Sequence, residues 1–106
     1  MSDIQKKIEG QIAQNPVILY MKGSKDAPKC GFSAQVVNIL NYYGVDYATV
    51  DVLLDQEIRQ GIKDYSQWPT LPQLYVNGSF IGGCDICTEM HANGELEGIF
   101  KGDAGD

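Results

Sequence analysis

The chain has 106 residues, 43% of them hydrophobic, and a net charge of −6. That length predicts one domain with one real core, and that hydrophobic content excludes a disordered chain. The negative balance speaks against a nucleic-acid binder, which needs clustered Lys and Arg, and no apolar run nears the roughly 18 residues of a membrane span.

The first 14 residues alternate charge with Ile and do not read as an export signal. With only three cysteines, a disulfide framework is not expected, and reduced thiols in the cytoplasm are. Ser2-Asp3 offers a helix cap, and Ile4, Ile8 and Ile12 follow at i, i+4 and i+8, an amphipathic helix that Asn15-Pro16 ends. Val17 to Met21 is an apolar run too short for a helix and reads as a buried central strand. Lys22 to Lys29 reads as a long, flexible loop, closed by Cys30. Apolar periodicity from Phe32 through Val36, Val37, Ile39 and Leu40 predicts a second helix, stopped at Tyr43-Gly44.

A second strand is expected over Tyr47–Leu53 and a short helix over Asp55–Tyr65, with Ile58 and Ile62 inward and Asp55 as cap. Residues Ser66 to Pro72 form a turn-rich connector. Gln73–Val76, Asn77-Gly78 and Ser79–Gly82 spell a β-hairpin, since Asn-Gly is the strongest short turn signal. A helix over Asp85–Asn93 is interrupted by Gly94 and continued by Glu95–Phe100; Gly102 to Asp106 reads as a flexible tail. Two βα units, a hairpin and a helix make an α/β fold, with a mixed four-stranded sheet and helices on both faces.

Cys30 sits where a loop meets a helix N-terminus. Unpaired N–H groups and the helix dipole favour thiolate there, and Lys29 adds positive charge, so the sulfur is a candidate nucleophile and metal ligand. The plainer reading is a small buried hydrophobe. Cys30-Gly31-Phe32-Ser33 is a redox Cys-x-x-Cys with its second thiol missing, so Ser33 cannot resolve a mixed disulfide. Phe32 is either a core anchor or an apolar wall beside the sulfur. Lys22 falls at the end of the first strand, where α/β ligands bind, but is otherwise an ordinary surface lysine. Trp68 and Pro69 read as loop-shaping residues. Cys84 and Asp85 open a helix, so their N–H groups form a ready carboxylate site, although Asp85 also serves as a plain cap. Cys84-x-x-Cys87 is not read as a zinc site: the other candidates are Cys30 and His91, Cys87 reads as buried, and His91 as a surface residue.

Four motifs in order resemble the CGFS-type monothiol glutaredoxins: Lys22-Gly23, Cys30-Gly31-Phe32-Ser33, Trp68-Pro69-Thr70-Leu71-Pro72-Gln73-Leu74-Tyr75-Val76, and Gly82-Gly83-Cys84-Asp85-Ile86. The resemblance runs from about the first helix to about Phe100 and is closest to single-domain bacterial members. It implies a thioredoxin-like fold and one glutaredoxin domain over residues 1–106. It implies a glutathione site. Lys22 and Arg59 would take the glycyl carboxylate, a cis Pro72 would turn the Leu71 backbone toward the peptide, and Cys84 and Asp85 would hold the γ-glutamyl end. It further implies a [2Fe-2S] cluster bound through Cys30 and shared between the subunits of a homodimer, with BolA-type proteins and apo iron–sulfur clients as partners. Such a cluster takes four terminal thiolates, which two Cys30 residues and two glutathiones would supply. The rival reading is a glutathione-dependent oxidoreductase acting on protein–glutathione mixed disulfides, with at most weak turnover. A Cys30–Cys84 regulatory disulfide is a lesser alternative.

Overall fold

Ser2 Oγ accepts the Gln5 N–H at 3.2 Å and starts the first helix, α1 (Asp3–Gln14). The computed structural model describes residues 2–101; the tail expected at 102–106 lies outside them. β1 (Val17–Met21), α2 (Gly31–Tyr43) and β2 (Ala48–Asp51) follow, then α3 (Gln56–Ser66), the hairpin β3 (Gln73–Val76) and β4 (Ser79–Gly82), α4 (Cys84–Ala92) and α5 (Glu95–Phe100). Strand order is β2-β1-β3-β4, with β1–β2 parallel and the other two pairings antiparallel. This is the mixed four-stranded sheet expected.

Side-chain alternation along β1 explains why helices cover both faces. Leu19 and Met21 join Val36, Val37 and Leu40 of α2, Cys87 of α4 and Leu96 of α5 in one core cluster. Ile18 and Tyr20, on the other face, join Ile8 and Ile12 of α1 and Ile58 and Ile62 of α3. β3 divides in the same way, Leu74 and Val76 to the first cluster and Tyr75 to the second. Both central strands are therefore buried on two sides, which is why β1 reads as a continuous apolar run.

Two expectations change. β2 stops at Asp51 rather than running to Leu53, because the chain turns there: the Leu54 N–H reaches Asp51 O at 3.2 Å, and Leu54 is 84% exposed. The Lys22–Lys29 loop, expected to be flexible, is closed on itself. Gly23 bridges Pro28, the Lys29 N–H donates to Lys22 O at 2.9 Å, and Ser24 and Ala27 exchange backbone hydrogen bonds. Lys25 Nζ donates to Tyr47 O at 2.7 Å and lies 4.1 Å from the Tyr47 ring centroid, which fastens the loop's tip to the segment before β2.

Candidate functional site

Strand direction brings the sequence-predicted residues to one edge. β1 ends at Met21, beside the start of its antiparallel neighbour β3, where Tyr20 pairs with Gln73. β4 ends beside that same point, where Gly82 pairs with Leu74. The loops after β1, before β3 and after β4 therefore meet. They line a cleft of about 470 Å³ whose walls include Lys22, Cys30, Phe32, Leu71, Cys84 and Asp85.

Cys30 occupies the N-cap position of α2 with extended backbone and makes no side-chain capping bond. Its thiol is held below the ordinary cysteine range, chiefly by the Ser33 backbone N–H; burial opposes this as the next largest effect, and the Phe32 N–H, the Lys22 charge and the Ser33 hydroxyl each add a smaller lowering. The helix N-terminus thus favours thiolate, as the sequence suggests. Ser33 does more than the sequence reading assigns. It is fully buried, and its Oγ accepts the Lys22 N–H at 3.1 Å, tying the first turn of α2 to the end of β1. Phe32 is 62% exposed and lines the cleft, so it is the wall beside the sulfur and not a core anchor.

The other thiols differ. Burial raises the Cys84 thiol, with Asp85 and Cys30 adding to the effect against the Thr88 hydroxyl. Burial pushes Cys87, fully buried in the core, up to about 12. Iodoacetamide at neutral pH is therefore expected to modify Cys30 alone in the folded protein, checked by peptide mass spectrometry; comparable labelling of Cys84 or Cys87 would contradict this.

The Leu71-Pro72 peptide bond is cis and Leu71 is buried at the cleft wall. Trp68, Pro69 and Thr70 line the cleft too, where the sequence suggested only loop shaping for the first two. Gln73 holds that wall. Fully buried, its Nε2 donates to Trp68 O and Thr70 O, each at 3.1 Å, while its Oε1 accepts the Tyr75 hydroxyl at 3.1 Å. Gly82 has φ +150°, and a Cβ there would fall 2.7 Å from Ile86 Cβ, so only glycine lets β4 turn into α4 this tightly.

From α3 it is Lys63 that lines the cleft, a residue that no motif in the sequence marks. Arg59, one turn earlier on the same helix, is half-buried and not among the lining residues. The cleft thus has cationic side chains on two elements, Lys22 after β1 and Lys63 on α3. On a third element of the cleft, α4 begins at Cys84 with Gly83 as its cap and no side-chain capping bond, so its first N–H groups remain available to an anion. His91, read as a surface residue, instead bonds through Nδ1 to the Tyr43 hydroxyl at 2.6 Å and packs among Tyr42 and Tyr43. Among the described residues no helix is long and apolar enough to cross a membrane.

A family model described as Glutaredoxin matches residues 17–81. An uncharacterised monothiol glutaredoxin of Synechocystis is 54% identical over 99 residues, which covers 93% of this chain and 92% of that protein. Glutaredoxin 3 of Danio rerio is 51% identical over 100 residues, 94% of this chain but 31% of that longer protein. Among solved structures, reduced apo GrxS14 of poplar matches with a TM-score of 0.79 at 45% identity, covering 89% of this chain and 86% of that one. The sheet order, the cis Pro72 and these likenesses agree on the thioredoxin-like glutaredoxin fold, and the chain belongs to the glutaredoxin family, on its monothiol branch of bacterial type.

Proposed function

We propose that the cleft holds glutathione and that two copies of the chain, each presenting Cys30, carry a [2Fe-2S] cluster as cargo for apo-proteins. The observation that carries this reading is one thiol at the N-terminus of α2, in a cleft that also holds two cationic side chains and the start of α4 without a side-chain cap. A tripeptide with a carboxylate at each end and a thiol between suits that arrangement. In the reading, Lys22 and Lys63, with Arg59 behind them, take the glycyl carboxylate. The Leu71 backbone at cis Pro72 pairs with the peptide, and the N–H groups of Cys84 and Asp85 take the γ-glutamyl carboxylate, with the Asp85 carboxylate near its amino group.

The donor set fits a shared cluster. Among the described residues no group of three or more His, Cys, Asp and Glu is placed to hold a metal. Cys87 is a buried thiol and Cys84 a disfavoured thiolate. One chain therefore offers one good terminal ligand, and a cluster needing four thiolates takes the rest from a second Cys30 and two glutathione thiols. A bridging cluster held this way is exposed to a recipient, which makes a second copy of the chain, a BolA-type protein and apo iron–sulfur clients the partners of this reading, acting in the cytoplasm.

The favoured thiolate of Cys30 also supports a second reading, reduction of protein–glutathione mixed disulfides. Cys30 would attack the glutathione sulfur and release the protein thiolate; a second glutathione would then attack, leave as glutathione disulfide and restore Cys30.

The glutathione site has a direct test. Lys22 is anchored by its N–H to buried Ser33 and faces the cleft, whereas Lys25 is engaged with Tyr47. Lys22→Ala is expected to weaken glutathione binding about tenfold, as for loss of a charge-assisted contact, and Lys25→Ala by far less. Calorimetric titration of both variants decides; equal affinities would remove Lys22 from the site.

A further inference from the structure

Asp51 ends β2, opposite Met21 of β1. Its Oδ1 accepts two backbone N–H groups from different loops, Gly23 at 2.9 Å and Leu53 at 2.9 Å. Gly23 directly follows Lys22 and begins the loop that closes at Cys30. Leu53 lies in the turn that leads to Asp55, the cap of α3, and α3 carries Lys63. One oxygen therefore joins the two chain segments that deliver the cationic side chains of the cleft. A carboxylate suits this task, since an ionised acceptor roughly doubles the strength of each hydrogen bond and one oxygen has lone pairs for two donors. The neighbouring chain is already tight. Gly23 has φ +91°, and the Val52 N–H donates to Met21 O at 2.9 Å, a backbone link at the strand ends beyond which the Asp51 side chain holds the two loops.

We propose that Asp51 is a positioning residue that sets the spacing of Lys22 and Lys63 for the glycyl carboxylate of glutathione. This rests on the glutathione reading above. The side chain bonds to loop backbone on both sides and is not among the residues lining the cleft, so it acts through the loops and touches no ligand. Removing it takes a side-chain hydrogen bond from both loops at once. The end of the cleft formed by Cys84 and Asp85 belongs to α4 and is independent of it.

The test compares Asp51→Ala and Asp51→Asn with the wild type. Binding of glutathione and of γ-glutamylcysteine, which lacks the glycyl carboxylate, is followed by the fluorescence of Trp68 at the cleft wall. Backbone amide exchange of Gly23 and Leu53 is measured by NMR alongside. Asp51→Ala is expected to weaken glutathione about tenfold and γ-glutamylcysteine less than about twofold, and to speed exchange of both amides together about tenfold. Asp51→Asn keeps an acceptor oxygen and is expected to restore most of both. Unchanged glutathione affinity in Asp51→Ala, or equal weakening of both peptides, overturns the proposal. If the wild type binds neither peptide, the glutathione reading fails instead. The amide pair then decides the coupling alone: a joint rise supports it, and a rise at one site or neither sinks it.

Discussion

Cys30→Ser is expected to abolish both cluster assembly and thiol chemistry while leaving the fold intact. The side chain sits at the N-cap of α2, contributes no capping hydrogen bond, and lines an open cleft, so its removal opens no cavity in either core cluster. Serine is in fact a preferred N-cap residue, and stability is expected to stay within about 0.5 kcal/mol or to rise slightly. The chemistry, by contrast, has no substitute. Cys84 and Cys87 are held as thiols, and Cys87 at 0% exposure cannot reach a cluster or a substrate. Anaerobic reconstitution should leave Cys30→Ser colourless, whereas Cys87→Ser should load normally. A coloured Cys30→Ser protein would mean that Cys84 can stand in.

Gly23→Ala is expected to be strongly damaging although it lies in a surface loop. At φ +91° an L side chain is strained, at a cost of roughly 1–3 kcal/mol. The added Cβ would also fall 2.6 Å from Ala27 O and 2.6 Å from Lys29 N, backbone atoms that cannot swing aside as a side-chain tip can. Relief requires opening the Gly23–Pro28 bridge and the Lys29 N–H to Lys22 O bond, which shifts Lys22 and Cys30 relative to each other. A loss of about 2–4 kcal/mol in chemical denaturation is expected, together with loss of glutathione binding in the fraction that remains folded. Wild-type stability and affinity in this variant would show that the loop is not closed as described.

The elements were legible where local chemistry decides them. Ile4, Ile8 and Ile12 set α1, Asp55 caps α3 through the N–H groups of Glu57 and Ile58, and Asn77-Gly78 turns the hairpin. What escaped depends on long-range partners. The Lys22–Lys29 loop closes on its own backbone, and its two tethers to the rest of the fold, from Gly23 to Asp51 and from Lys25 to Tyr47, each span more than twenty residues. Arg59 and Lys63 are equivalent polar positions on α3 in the sequence. Which of them reaches the cleft depends on how Ile58, Gly61 and Ile62 seat the helix against α1, where Gly61 is close-packed on Ile8 and Ile4. Phe32, four residues before buried Val36, has the phase of a core residue. Ser33 is already level with the end of β1, so the turn that carries Phe32 leaves its ring beside the cleft. The buried Gln73 had no signal beyond a polar residue opening an apolar strand, since its partners are the carbonyls of a loop whose path the sequence does not reveal.

With one favoured thiolate per chain, a shared cluster in the proposed reading needs glutathione to complete it. Anaerobic reconstitution of the wild type with iron and sulfide, with and without glutathione, followed by visible spectroscopy and measurement of molecular mass in solution, decides this. The expected result is a coloured dimer with glutathione present, dissociation to monomer when the cluster is removed, and no assembly when glutathione is omitted. A coloured monomer, or full loading without any low-molecular-weight thiol, would contradict it.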